Sequence, residues 1–344
     1  LGANVENGRI LATGTANLTG NTLANVLYAG AGNNVLDGST GTDTASYAYA
    51  TAAVTVSLAV AGAQATGGSG SDTLTAIENL TGSNYNDTLT GNAGANVLDG
   101  GAGIDVMIGG DGSDTYYVRD VGDTVTETNA TASTGGTDTV YSTLASYTLG
   151  ANVENGRILA TGTANLTGNS LNNVLYAGAG NNVLDGSSGT DTASYAYATA
   201  GVTVSLVVTG AQATGGSGSD TLVAIENLTG SKYADTLTGN ASANVLDGGA
   251  GIDTMVGGDG SDTYYVRDVG DIVTETNASA STGGTDTVYS TLASYTLGAN
   301  VENGRILATG AANLTGNTLD NLLYAGAGNN VLDGSTGTDT VSYK

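Results

Sequence analysis

Apolar residues in this chain recur singly at nine-residue intervals, each at the centre of a three-residue strand-like piece. Thr88-Leu89-Thr90, Val97-Leu98-Asp99, Val106-Met107-Ile108 and Thr115-Tyr116-Tyr117 each follow a turn rich in glycine and small polar residues, at 82–87, 91–96, 100–105 and 109–114. An acid or amide closes each turn (Asp87, Asn96, Asp105, Asp114), and the apolar or aromatic residue stands two positions later (Leu89, Leu98, Met107, Tyr116). Asn25, Asn34 and Asp43 keep the same spacing with Leu27, Leu36 and Ala45, and a single turn, Gly67-Gly68-Ser69-Gly70-Ser71-Asp72, precedes Leu74. Such a pattern has no 3.6-residue period and is interrupted by glycine every few residues, so it argues against helix. It predicts an all-β fold, a parallel β-roll or β-solenoid of GGxGxDxUx nonapeptides. One nonapeptide is half a coil, the eighth residue points inward to a thin apolar core, and coils pair as parallel strands about 4.8 Å apart.

The arrangement repeats. Leu1-Gly2-Ala3-Asn4-Val5-Glu6 returns at Leu149 and at Leu297, and the first two copies differ at about 14 of 148 positions. The predicted organisation is a unit at 1–148, a near-identical unit at 149–296 and a partial one at 297–344, read as a piece of a longer array. Between the nonapeptide clusters, Val54-Thr55-Val56-Ser57-Leu58-Ala59-Val60 and Thr137-Asp138-Thr139-Val140-Tyr141 alternate with period two. These stretches read as wider intervening coils or as lateral hairpins, with a small separate β-sandwich as the alternative. Ile77-Glu78-Asn79-Leu80 and the Asn-Leu-Thr triplets at 17, 79, 165, 227 and 313 read as coil corners. A stack of this kind makes a long rod with a slender core.

Charge adds the chemistry. The net charge is −25 with seven basic residues, which repels nucleic acid and anionic membrane surfaces. No apolar run is long enough for membrane insertion. In the predicted fold the closing acids stack a few ångströms apart, an arrangement that requires a counter-ion. Calcium suits it best, because it accepts six to eight oxygens, backbone carbonyls included, in flexible geometry. Zinc is disfavoured by the absence of His and Cys. The predicted carboxylate ligands are Asp43, Asp72, Asp87, Asp105, Asp114, Asp191, Asp220, Asp235, Asp253, Asp262 and Asp339. Their predicted carbonyl partners are Gly101, Gly103, Gly110, Gly112, Gly249, Gly251, Gly258 and Gly260, where glycine admits left-handed dihedrals that turn carbonyls toward one point. At Asn34, Asn96, Asn182 and Asn244 an amide replaces the acid, which predicts weaker sites or amide ladders. Arg119 and Arg267 are expected to pair with Asp120, Asp123, Asp268 and Asp271, and Tyr116 and Tyr264 to close the core.

These turns resemble the RTX, or haemolysin-type, calcium-binding repeat, whose consensus is G-G-x-G-x-D-x-U-x. Asp114-Thr115-Tyr116-Tyr117-Val118 with Gly122-Asp123-Thr124-Val125-Thr126-Glu127 resembles stretches that follow RTX blocks. Gly41-Thr42-Asp43-Thr44-Ala45-Ser46-Tyr47 with Ile77-Glu78-Asn79-Leu80 is similar to the region before the calcium repeats of secreted metalloproteases. The resemblance implies calcium ions held between successive coils, type I secretion, and folding outside the cell. It places the chain in extracellular space or on a bacterial cell surface, with a secretion signal outside this sequence. Several turns lack the first or second glycine, which departs from the family pattern.

An enzyme is not expected. Without His or Cys there is neither an HExxH zinc site nor a Ser-His-Asp or Cys-His arrangement. Close carboxylate pairs follow from the repeat itself and need no glycosidase to explain them. The function expected is a calcium-stiffened structural or adhesive (adhesin-like) repeat protein, self-associating into a filament or surface layer through unpaired strand edges. The alternatives are a non-catalytic carrier region of a secreted enzyme or toxin, and a module that binds polysaccharide through calcium, with Tyr47, Tyr49, Tyr195 and Tyr197 as a sugar-stacking strip.

Overall fold

The computed structural model describes residues 1–129, 134–277 and 283–343. All of its regular elements are short strands, and none of the described residues is helical. The chain divides into two compact units, Leu1–Leu159 and Ala160–Lys344, each a parallel β-roll.

In the first unit one flank is built from Asn7–Arg9, Val26–Tyr28, Thr44–Ser46, Asn79–Thr81, Val97–Asp99, Thr115–Val118, Thr139–Ser142 and Asn155–Ile158, paired in parallel in that order. The facing flank has two pieces. Ala16–Thr19, Asn34–Asp37 and Gly70–Thr75 form one, and Thr55–Ser57, Thr88–Thr90, Val106–Ile108 and Thr124–Thr126 the other. The second unit repeats this plan. Val245–Asp247 pairs with Thr263–Val266 on one flank, and Thr236–Thr238 with Thr254–Val256 on the other.

Within the nonapeptide runs the register is one coil of two nonapeptides, pairing Val97 with Thr115 and Thr88 with Val106. Strands are only three or four residues long because a glycine turn follows each inward residue. Glycine is required there: Gly101 has φ +94° and Gly103 φ +128°, and a side chain on either would strike the backbone of the coil below, at Ser83 and Tyr85. The inward column on the first flank includes Leu27, Ala45, Leu80, Leu98, Tyr116 and Val140, all 0–1% exposed, and faces Leu36, Val56, Leu89 and Met107.

The segments between nonapeptide clusters are coils of the same roll: Thr139–Ser142 pairs in parallel on both sides, and the segment after Ser46 carries a lateral hairpin. Gln64–Gly67 runs antiparallel to Gly70–Thr75, and the latter returns in parallel beside Asn34–Asp37. The Gly67–Asp72 turn is therefore the tip of this hairpin, with Gly67 at φ +76° and Gly70 at φ +83°. The Asn-Leu-Thr triplets lie inside strands, not at corners: Leu80 fills the inward position, and Asn79 Oδ1 accepts a 2.8 Å hydrogen bond from the Val97 amide of the next coil.

A core one side chain thick makes each inward residue costly to shorten. Leu98→Ala is expected to destabilise the calcium-loaded chain by about 2–5 kcal/mol. Val121→Ala, at a position 83% exposed, is expected to stay within about 0.5 kcal/mol. Denaturant unfolding in excess calcium measures both.

Candidate metal centre

In each unit the closing acids form side-chain ladders along both edges of the roll, and on the edge of the two-piece flank the ladder is likewise in two runs. Each acid spends one oxygen on the backbone of the coil before it. Asp43 Oδ1 accepts from the Asn25 amide at 2.7 Å, Asp114 Oδ1 from Asn96 at 2.7 Å, and Asp138 Oδ1 from Asp114 at 2.7 Å. On the other edge Asp72 Oδ1 accepts from Asn34 at 2.7 Å, Asp87 Oδ1 from Val54 at 2.7 Å, Asp105 Oδ1 from Asp87 at 2.8 Å, and Asp123 Oδ1 from Asp105 at 3.0 Å. The second unit repeats the pattern through Asp191, Asp220, Asp235, Asp253 and Asp262. Asp339, half-buried, does the same for Asn321 at 2.8 Å.

The remaining oxygen sorts the sites. Asp43, Asp105, Asp114, Asp191, Asp253 and Asp262 each keep a buried Oδ2 with no hydrogen-bond donor. At Asp87, by contrast, the Ser83 amide and hydroxyl supply donors, the latter at 2.8 and 2.9 Å, and Ser231 does so for Asp235. Thr66 reaches Asp72 Oδ2 at 3.3 Å and Thr214 reaches Asp220 Oδ2 at 3.1 Å. A buried carboxylate oxygen without a donor carries a desolvation penalty that an oxygen-seeking cation removes. The donor set fits calcium, being carboxylate and carbonyl oxygen throughout.

Carbonyls stand beside these carboxylates. A Cβ built on Gly82 would touch both Asp87 Oδ2 and the Gly100 carbonyl, and one on Gly38 would touch Asp43 Oδ2 and the Ala76 carbonyl. Gly230 and Gly186 repeat these cradles in the second unit. All eight glycines predicted as carbonyl partners have left-handed φ, from +89° at Gly249 to +128° at Gly103. Ala76 (φ +46°) and Ala224 (φ +47°) adopt the same region without being glycine. Strained backbone of this kind persists where its surroundings over-determine it.

Three of the amide positions, Asn96, Asn182 and Asn244, close their part of the ladder unaided, whereas the Asn34 Nδ2 is buried without a partner. Asn96 Oδ1 accepts from Asn92 at 2.7 Å, and its Nδ2 donates to the Glu78 carbonyl at 2.7 Å. Asn244 repeats both bonds, and Asn182 accepts from Gly178 at 2.9 Å and donates to the Ala164 carbonyl at 3.3 Å. Asn34 accepts from Gly30 at 2.7 Å.

Several ladder members are not in glycine turns and were not predicted. Glu78 Oε2 accepts from the Asp43 amide at 2.8 Å, and Glu154 Oε2 from Asp138 at 2.8 Å; Glu226 and Glu302 are their counterparts. Glu78-Asn79-Leu80 carries the acid-x-inward spacing without the glycines, whereas Asp138-Thr139-Val140 follows Gly135 and Gly136, and Glu154 has a glycine, Gly156, at the inward position. Glu127 is a further unpredicted acid. Its Oε1 accepts from the Tyr116 hydroxyl, and it groups with Asp114 and Asp138, as Glu275 does with Asp262 and Asp286. The arginines pair differently from expectation. Arg119 binds Asp99 at 2.6 Å and Arg267 binds Asp247 at 2.5 Å, each on the preceding coil, because the strands place Asp99 beside Tyr117 in register. Asp123 instead accepts the backbone amides of Arg119 and Asp120 at 2.9 and 3.0 Å.

Burial pushes these carboxyls above the usual range: Asp105 and Asp114 to about 6, Asp138 to about 7 and Glu127 to about 8, with neighbouring carboxylates adding to the rise for Asp105, Asp138 and Glu127. A group whose pKa is higher folded than unfolded stabilises the fold below its unfolded value, near about 4, and loses that contribution as pH rises through its folded value. In metal-free buffer the melting temperature is therefore expected to fall as pH rises across this window, from about 4 to about 8. In excess calcium, which binds only the ionised acids, it is expected to rise instead. Melting curves in both buffers check the sign, and parallel curves contradict it.

The family model of the RTX calcium-binding nonapeptide repeat (4 copies) matches residues 13–45, 78–120, 161–193, 229–264 and 309–343, more than half of the chain. No curated protein matches it.

Proposed function

We propose, for a chain that belongs to the RTX calcium-binding nonapeptide-repeat family, that it is a calcium-stiffened structural or adhesive repeat region working outside the cell. RTX repeats bind calcium, and their β-roll is a structural, non-catalytic domain. They occur in secreted bacterial proteins and need extracellular calcium. Beyond that, the reading rests on how the units at 1–148 and 149–296 differ. Every substitution between them within the described residues falls at an exposed or half-exposed position, such as Thr22, Ala59, Asn84 or Val106, and none touches the inward column or the acid ladders. Even the surface is largely repeated. Repeats of that kind add length more than they add new binding faces, which suits a stalk, fibre or layer better than the carrier region of an enzyme.

Calcium would be held by the acids whose second oxygen lacks a donor, with carbonyls from the adjacent turns. At Asn34, Asn96, Asn182 and Asn244 the amide ladder takes the ion's place. Folding and ion binding are then one event, since the unfolded chain has no preformed site.

A second reading, polysaccharide binding, draws on one feature of the surface. Tyr117 stacks on Tyr141 at 5.3 Å with Arg119 and Arg157 over the two rings, while Arg9 lies over Tyr49 at 3.4 Å. Such aromatic–cation strips stack on sugars and attract acidic ones.

Circular dichroism and light scattering across a calcium titration test the first reading. The chain is expected to be expanded in chelator, to gain β structure cooperatively with calcium, and then to grow into large assemblies. Folding without assembly, together with saturable binding of an acidic glycan, favours the second. A chain that is folded and unchanged in chelator removes the calcium mechanism.

A further inference from the structure

Each unit carries one acidic cluster built differently from the turns. Asp114 ends the nonapeptide run, Glu127 follows strand Thr124–Thr126, and Asp138 precedes strand Thr139–Ser142, so three separate segments converge. All three side chains are at most 5% exposed, and one oxygen from each lies within 4.8 Å of the others. Asp114 Oδ2 and Glu127 Oε2 are buried without a donor. The free oxygen of Asp114 is aimed inward: a Cβ on Gly109 would touch Asp114 Oδ2, Glu127 Oε1 and the Tyr116 hydroxyl together. Asp262, Glu275, Asp286, Gly257 and Tyr264 reproduce the arrangement. Neither described salt bridge reaches these acids, since Arg119 and Arg267 are engaged by Asp99 and Asp247.

Three carboxylates at this separation need positive charge among them. Ligand oxygens on opposite sides of a calcium ion stand about 4.6–5.2 Å apart, so oxygens that all lie within 4.8 Å of one another can share one ion. The turn sites offer carbonyls with a single carboxylate per turn, whereas this cluster offers three carboxylates from side chains alone. Ligand charge is one of the levers that set calcium affinity.

We propose that Asp114–Glu127–Asp138 and Asp262–Glu275–Asp286 are two dedicated cation sites, each joining the last turn acid of a run to two acids from outside the turns, which take calcium or another hard oxygen-seeking cation first and more tightly than the remaining turns. Each ties the end of a nonapeptide run to the two segments that follow it. The inference goes beyond the stalk reading and stands whether or not the chain assembles.

The test uses the full chain and calcium itself. Isothermal titration is expected to resolve a tight phase of two ions per chain, at least about tenfold tighter than the rest. Glu127→Gln with Glu275→Gln is expected to remove that phase and leave the weaker sites, while Asp105→Asn with Asp253→Asn is expected to do the reverse. A Gln variant that binds as many tight ions as the parent overturns the proposal. Should the Gln variant fail to fold, Tyr116→Phe with Tyr264→Phe supplies a second readout with terbium. Its tyrosine-sensitised emission is expected to fall chiefly over the first two equivalents, and emission unchanged there overturns the proposal.

Discussion

The architecture depends on burying a row of carboxylates, several of which keep an oxygen that meets no donor among the described residues. Every acid in the ladders gives one oxygen to the amide of the coil before it, which fixes the coil register and satisfies a backbone donor that would otherwise be orphaned. The other oxygen is where positive charge has to enter. A fold that places Asp43, Asp105 and Asp114 with a bare buried oxygen cannot be at its most stable as an anion in metal-free water. Its carboxyls take up protons or its sites take up cations, and at extracellular pH the cation is the better solution. The glycine content follows from the same demand. The carbonyls must turn toward the acids, and the space between coils admits no side chain at Gly82, Gly100 or Gly109.

The apolar contribution is thin by construction. One inward residue per strand, whether Leu89, Leu98 or Met107, gives a column instead of a layered core, and each coil is supported only by its neighbours. Such a chain cannot rely on hydrophobic burial to overcome both conformational entropy and carboxylate desolvation. The sequence relieves part of the load by mixing its ladder. Asn96 alternates with Glu78 and Asp114 on one edge, bridging coils through a neutral amide that accepts and donates at once. Ser83 and Thr66 do likewise for Asp87 and Asp72 by supplying hydroxyl donors. The roll is thus a composite of rungs with a bare buried oxygen and rungs satisfied by the protein's own donors.

The nonapeptide rungs were legible because all their information is local. Nine-residue spacing places Leu98 inward, Gly101 and Gly103 in left-handed turns and Asp105 on the ladder, and the structure has all of them there. Glu78 and Glu154 were not legible by glycine, and Asp138 follows only a partial turn, Gly135-Gly136-Thr137. They reach the ladder through coils that lack the full turn consensus, and an apolar inward residue two positions later marks Glu78 and Asp138 but not Glu154. Glu127 has not even that signal. It joins Asp114 through the return of the chain past Thr124–Thr126, a matter of tertiary placement. The arginine pairings failed for the same reason: sequence neighbours suggest Asp120 and Asp123, whereas parallel stacking brings Asp99 of the coil before within reach of Arg119. In a solenoid the nearest residue in space is commonly one coil away, about 18 positions in the nonapeptide runs, so local reading succeeds for what each coil is and fails for what it touches.

The placement of the three-carboxylate clusters gives the 148-residue period a physical meaning. Nonapeptide coils are interchangeable, and a run of them has no intrinsic end. The run ends where Tyr116 replaces an aliphatic inward residue and hands its hydroxyl to Glu127, and the register then changes from 18 residues to 24, pairing Tyr116 with Val140. A longer coil has more chain to order, so it needs a stronger tie than a single Asp. A cluster with three acids drawn from three segments is such a tie when a cation fills it, and a source of repulsion when none does. Calcium then does more than fill the rungs one by one: on this proposal it ties the end of each nonapeptide run to the segments at Glu127 and Asp138, or at Glu275 and Asp286. A chain made almost entirely of copies of one unit gains a shared threshold from that arrangement, because every junction answers to the same ion through the same side chains.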